Sequence, residues 1–309
     1  MRVKIVQDET MTLHEMMSEF LSCKQAQKAR ERTLKEYRYY FDDFLKASSD
    51  SIQMDVLKKE LVSFFKAIPD TSPSIFNHPY QYLHALFSWA VKQDYIPCNP
   101  FDKLELKKRR DEGHILPATI EDIRAFLRLL DRTNYCELRD YTITMLLLDT
   151  GMRTSEILSL LNSDYFPEDL SIQIRPEVSK TNHGRTVYLS TITNNLLKKF
   201  VRVKPKEWGD WLFPTRDGLQ LQSNVLGRNF RKYCKRAGIH FTPYQLRHSF
   251  ATFYLQNGGD LFTLQRLMGH SDLQMTRRYT EISDTQASHA HKTYSPVGLL
   301  QGNSRKVKL

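Results

Sequence analysis

No stretch of this 309-residue chain approaches the ~18 consecutive apolar residues that a membrane-spanning helix needs. The opening MRVKIVQDETMTLHEMM turns acidic within ten residues and has no apolar centre, which excludes a secretory signal. A cytoplasmic protein without membrane contact is therefore expected. Cysteine is sparse: Cys23, Cys98, Cys136 and Cys234 form no C-x-x-C pair and sit in no Cys/His metal spacing. That excludes a disulfide framework and a structural zinc site, and leaves isolated reduced thiols. Internal repeats and low-complexity segments are absent as well.

What is present is folded-protein composition, 40% hydrophobic and 11% aromatic, in a length sufficient for two ordinary domains. The net charge is +10 and the pI about 9.3. A basic balance fits a polyanionic partner, because Lys and Arg neutralise phosphates and release counterions; it also fits a plain solvated surface.

Helical patterns dominate the first third. Leu13, Met16, Met17, Phe20 and Leu21 share one face, and Leu34, Tyr37, Tyr40, Phe41, Phe44 and Leu45 continue at helical spacing. Thr33 and Glu36 are placed for a capping box on the second helix. The cationic KQAQKARER run between them is either a solvated helix end or a contact for a phosphate backbone. A third helix spans 55–68 and stops at Pro69. Pro73 and Pro79 punctuate a loop before a fourth helix over 80–93, where Trp89 is read as core. The stretch 104–117 is charged and poorly periodic, as expected of a linker. Its Lys107, Lys108, Arg109 and Arg110 are either solvated or laid along a DNA groove.

Thr119 caps the next helix, with Ile123, Phe126, Leu127 and Leu130 on its apolar face. An apolar helix then breaks at Gly151 before a second begins near Thr154 or Ser155. Arg153 sits in that break, where a cation opposes the helix dipole and calls for another partner; Glu156, in the first turn, is one candidate. Residues 171–190 read as a hairpin with Lys180 near its tip. A helix over 193–202 follows, then a loop anchored by Trp211, Leu212 and Phe213. A basic helix over 223–237 carries Arg228, Arg231, Lys232, Lys235 and Arg236, with Val225, Phe230 and Cys234 on its buried side. These cations are candidates for phosphate or groove contact. The stretch 242–280 then presents Arg247-His248, Gly269-His270 and Tyr279.

Singly, each of these residues has an ordinary explanation. His270 after glycine is a turn residue, Tyr279 a packed aromatic, Arg153 an ion-pair partner. Together the segments G-M-R-x-S-E at 151–156, the hairpin lysine at 180, L-R-H-S-F-A-T at 246–252 and L-M-G-H-S-D…T-x-x-Y at 267–279 resemble the tyrosine recombinase (phage integrase) family, in order and in gaps. The resemblance is to the simple Xer-like, two-domain type and covers roughly residues 118–285. It implies a mainly α fold with a small β-sheet or hairpin: a helical core-binding (SAM-like) DNA-binding domain over 1–105, a linker over 106–117, an α+β catalytic domain over 118–285 and a C-terminal tail over 286–309. A separate N-terminal arm-binding domain is not expected.

The implied activity is site-specific DNA recombination or integration through a 3′-phosphotyrosyl intermediate. Arg153 and Arg247 would clamp the phosphate, Tyr279 would attack, Lys180 would protonate the departing 5′-oxygen, and His270 would donate to a phosphoryl oxygen. Glu156 and His248 would support them. No metal or other cofactor is implied. Three residues before Arg247 the family usually has histidine, less often lysine or tyrosine; here Tyr244 stands there, and a phenol is a poor base near neutral pH. The acceptor of the Tyr279 proton is thus left open: His248 is another candidate, but the resemblance implies that this histidine supports and positions the site rather than taking part in the chemistry. The implied partners are a double-stranded recombination site, a homotetramer on two such sites and accessory DNA-bending proteins, in a nucleoid-associated location. A type IB topoisomerase and a non-catalytic DNA-binding regulator on the same fold are the alternatives.

Overall fold

The computed structural model describes residues 11–110, 116–179, 182–270, 272–277 and 279. The chain divides into two compact units between residues 113 and 114.

The first unit is helical. Helix α1 (Leu13–Ala26) starts from a capping box in which Thr12 and Glu15 satisfy each other's backbone amides. Helix α2 (Glu31–Lys46) begins three residues earlier than a Thr33 cap would allow, because Arg30 takes the cap position. Glu36 is used differently: it pairs with Arg32 at 3.0 Å and accepts from the Tyr82 hydroxyl of the fourth helix. After α3 (Met54–Ala67), helix α4 runs unbroken from Pro73 to Lys92. Here the expected loop is wrong. Pro73 sits at the helix start, where proline costs nothing, and Ser72 caps it. Pro79 forfeits one interior hydrogen bond, but its ring is buried beside Phe76 and Leu83, and that packing carries the helix through. Trp89 packs T-shaped on Phe20 at 5.4 Å and on Tyr95 at 5.6 Å, as a core residue.

A short helix α5 (Pro100–Lys103), capped by Asn99, was not foreseen. The residues after it are not a free linker. Leu104 and Leu106 pack on the helical core. Arg109 exchanges two backbone hydrogen bonds with the Asn77 amide, at 2.8 and 2.9 Å, pairs with Asp70 at 2.5 Å and lies 4.3 Å over the Phe76 ring. Residues 104–110 thus extend the first unit; Lys107, Lys108 and Arg110 remain exposed.

The second unit surrounds its own core. Helix α6 (Ile120–Leu129) is capped by Thr119, and Ile123 and Phe126 are buried. Helix α7 (Tyr135–Thr150) ends on Gly151, whose φ of +61° is a left-handed cap that favours glycine. A Cβ there would also lie 2.2 Å from the Phe250 ring. Helix α8 (Thr154–Ile157) follows at once. The antiparallel sheet has three strands in the order β1 (Tyr165–Phe166), β2 (Ser171–Ile174), β3 (Arg185–Tyr188), so the expected hairpin gains an unforeseen edge strand. Its register sets Ile172 opposite Val187 and Ile174 opposite Arg185.

Helix α9 (Thr191–Val203) packs against α7. Helix α10 (Ser223–Ala237) matches its expected bounds and buries Leu226, Phe230, Tyr233 and Cys234. Helix α11 (Pro243–Gln256) opens with a Thr242–Gln245 capping box and packs along α7. Helices α12 (Leu261–Met268) and α13 (Gln274–Arg277) complete the described chain. The architecture is therefore mainly α with one small sheet, as expected. Among the described residues no helix is long and apolar enough to cross a membrane.

Candidate active site

Three breaks in the second unit meet around one buried carboxylate. Arg153 occupies the cap position of α8, immediately after the Gly151 turn. Glu156, one turn on, is fully buried. Its Oε1 accepts from Nη1 of Arg153 and Nη1 of Arg185, both at 3.0 Å. Its Oε2 accepts from the Arg153 amide at 2.9 Å and from Nη2 of Arg185 at 2.8 Å. Burial pushes the Glu156 carboxyl up, but the hydrogen bond and charge of Arg185, with those of Arg153, outweigh it and hold it below its ordinary 4.5.

Sequence reasoning missed Arg185. The signal was there: β3 alternates, and Arg185 shares a face with the buried Val187. An inward-facing arginine in a half-buried strand needs a buried anion, and Glu156 is that anion.

Arg247 comes from the second turn of α11 and is 5% exposed. Its guanidinium donates to the carbonyls of Gly151 and Met268, the latter at 2.9 Å, and to Nε2 of His270 at 3.0 Å. Arg153 and Arg185 reach the same turn, donating to the carbonyls of Gly269 at 3.1 Å and Leu267 at 3.0 Å. Gly269 takes φ +63°, and a Cβ there would lie 2.8 Å from the Arg185 guanidinium, so the close approach requires glycine.

The tautomer of His270 follows from this network. A guanidinium has donors only, so Nε2 of His270 accepts. Nδ1 then carries the proton and donates to Oγ1 of Thr276 at 2.8 Å. The ring is neutral, and burial together with the charges of Arg247, Arg153 and Arg185 pushes its pKa down to about 4. In this state Nε2 faces Arg247 as an acceptor. Donation from Nε2 to a phosphoryl oxygen therefore requires that contact to open and the ring to take its proton at Nε2.

Arg247 itself is pushed down to about 10 by burial and by Arg153, and it remains charged at neutral pH. Three guanidiniums thus face one carboxylate and a neutral imidazole. Like charges held together in a desolvated pocket repel, and a phosphate anion would relieve that repulsion.

Tyr279 follows α13, and its ring packs with Phe250, Ala251, Leu264 and Met268. Its hydroxyl meets Nδ1 of His248 at 2.7 Å. His248 is the residue after Arg247 and is 8% exposed. Tyr244, one turn earlier on α11, is 54% exposed and meets the His248 ring in T-shaped contact at 4.6 Å. Arg153, Glu156, Arg247, His248, His270 and Tyr279 are thus brought together, and Tyr244 lies at the rim. Lys180 lies outside the described residues. Arg228, Arg231, Lys232, Lys235 and Arg236 all line the exposed side of α10, and Arg236 is 3.6 Å from Glu137. Among the described residues no cluster of His, Cys, Asp or Glu is arranged to hold a metal ion.

An α+β unit that gathers arginines from separate segments beside a packed tyrosine hydroxyl defines a phosphate-handling class of protein. Residues 119–286 match the model of the phage integrase family. The chain belongs to the phage integrase family of tyrosine recombinases. It is 26% identical over 280 residues to the tyrosine recombinase XerD of Listeria monocytogenes, covering 87% of this chain and 92% of the relative. The Tn1549 transposon integrase in complex with a circular intermediate DNA shares the fold, with a TM-score of 0.74 at 19% identity over 92% of this chain and 99% of that one. So does a lambda integrase tetramer bound to a Holliday junction, with a TM-score of 0.74 at 18% identity over 92% and 84%.

Proposed function

We propose that the chain performs site-specific DNA recombination by cleaving and rejoining strands through a 3′-phosphotyrosyl intermediate on Tyr279. The observation that carries this is the convergence of Arg153, Arg247 and His270 from three separated segments, with the Tyr279 hydroxyl against the residue next to Arg247. Arg153 and Arg247 take the scissile phosphate, whose arrival competes for the Arg247 donors and opens the Arg247–His270 contact. His270, freed and protonated at Nε2, donates to a phosphoryl oxygen. Glu156 holds Arg153 in place and Arg185 balances that carboxylate. Lys180 protonates the leaving 5′-oxygen. The bond energy is kept in the tyrosyl ester, so no nucleotide cofactor enters the reaction.

The partner is double-stranded DNA. The exposed cations of α10 and Lys107, Lys108 and Arg110 meet its phosphates, while Arg109 holds its segment on the helical unit, which acts as the core-binding domain. Two sites are brought together by a homotetramer, the number of subunits that lambda integrase places on a Holliday junction, and accessory DNA-bending proteins assist. Likeness to XerD along most of the chain favours recombination over DNA relaxation or a purely regulatory role.

The test is a suicide duplex drawn from the DNA flanking the gene. Wild-type protein is expected to give an SDS-resistant protein–DNA adduct and Tyr279→Phe none. Absence of an adduct from the wild type on any flanking sequence would sink the reading, and exchange between paired sites separates recombination from relaxation.

A further inference from the structure

A phenol whose pKa is ordinarily about 10 must lose its proton as it attacks, and the groups around Tyr279 differ sharply in their ability to take it. The guanidiniums of Arg153, Arg185 and Arg247 have no acceptor. His270 is committed on both ring nitrogens: Nδ1 meets Thr276, and Nε2 accepts from Arg247 at rest and donates to a phosphoryl oxygen once the phosphate has opened that contact. Tyr244 is a phenol itself, and it is the Tyr244 ring that meets His248. His248 is different. Its Nδ1 is 2.7 Å from the Tyr279 oxygen, and the two rings lie 5.3 Å apart at 48°. It is carried on the middle of α11, a fourteen-residue helix with a complete capping box, so its backbone is well held.

We infer that His248 is the general base of strand cleavage, accepting the Tyr279 proton at Nδ1. The inference rests on the reading of Tyr279 as nucleophile. In the step, the Tyr279 oxygen forms its bond to phosphorus while the phenolic proton passes to His248 Nδ1. The bond from phosphorus to the 5′-oxygen breaks, and that oxygen takes a proton from the Lys180 ammonium. Rejoining runs in reverse: the 5′-hydroxyl attacks, Lys180 recovers its proton, and His248 returns its own to the tyrosine. The imidazolium forms while negative charge builds on the phosphoryl oxygens, so the two charges arise together and stabilise each other. His248 thereby fills the role that Tyr244 is poorly suited to fill.

The experiment is single-turnover adduct formation by His248→Asn and His248→Ala on the suicide duplex, with DNA binding and unfolding midpoints measured alongside. Asparagine keeps an acceptor near the Nδ1 position but takes no proton. Both variants are expected to bind DNA and to cleave about 10²–10⁴-fold more slowly than wild type. Added imidazole is expected to speed His248→Ala. A duplex with sulfur in place of the bridging 5′-oxygen has a leaving group that needs no proton. It is expected to restore Lys180→Ala and to leave His248→Asn slow. Cleavage by His248→Asn within about a factor of three of wild type would mean that a hydrogen bond suffices, and would overturn the inference. Restoration of His248→Asn by the bridging sulfur would overturn it too, by making His248 an acid. Neither outcome touches the recombinase reading, which fails separately if the wild type forms no adduct. If His248→Asn does not fold, His248→Gln with imidazole rescue of His248→Ala carries the same test.

Discussion

Replacing Glu156 with glutamine tests the centre of the site. The carboxylate accepts four hydrogen bonds, two at each oxygen, from Arg153 and Arg185. Glutamine keeps one oxygen and turns the other into a donor facing donors. Two charge-assisted bonds at about 1.5–3 kcal/mol each give a loss of about 3–6 kcal/mol. Breaking a buried ion pair by removing one partner gives about 3–5 kcal/mol independently. Solvent screening is a small correction, since the side chains of Arg153 and Arg185 are only 17% and 11% exposed and that of Glu156 is fully buried.

Glu156→Gln should therefore lose about 4 kcal/mol, which lowers the midpoint of a unit of 150–250 residues by roughly 8–16 °C. Urea unfolding followed by tryptophan fluorescence reads it, because Trp208 and Trp211 both lie in the second unit. The pH dependence is a second check. A carboxyl held below 4.5 contributes stability that is present above that value and is lost as pH falls through its folded pKa. The gap between wild type and variant should be full at pH 7 and close in acid. A loss below about 1 kcal/mol at pH 7, or a gap that does not close, would refute the account of Glu156 as the anion that holds the arginines.

Two further outcomes are expected. Gly269→Ala combines a left-handed backbone with a Cβ at 2.8 Å from the Arg185 guanidinium. It should cost at least about 1–2 kcal/mol and slow adduct formation, as read by urea unfolding and the suicide duplex. His270 is held neutral with a pKa of about 4, below its ordinary 6.5. Between those values the unfolded chain binds a proton that the folded chain does not, so stability falls as pH drops through this window. His270→Gln should flatten that part of the urea-midpoint profile, and an unchanged profile would contradict the assignment.

Punctuation was the most legible layer of the sequence. The Thr119 cap, the Gly151 break and the bounds of α10 all follow from side chains within a few residues of the position they control. Where a local signal competed with packing, packing decided. Thr33 and Glu36 had the spacing of a capping box, yet Glu36 is used by Tyr82, forty-six residues away. Pro79 reads as a breaker, yet its ring lies in the helical core. The cationic run at 107–110 has linker composition, and only the Asn77 and Asp70 contacts reveal that Arg109 is anchored.

By itself the sequence determined the family and the order of its motifs, because residue types and gaps are one-dimensional facts. It named Arg153, Arg247, His270 and Tyr279 without saying what each one touches. Tertiary structure alone decided that Arg185 shares Glu156 with Arg153, that His270 accepts from Arg247, and that Tyr279 lies against His248. The physical reason is reach. A cap or a turn is settled by a few neighbouring dihedrals, whereas the Arg153 guanidinium meets the Gly269 carbonyl across 116 residues. That contact exists only once α7 and α11 have packed and the glycine turn has been brought over the carboxylate.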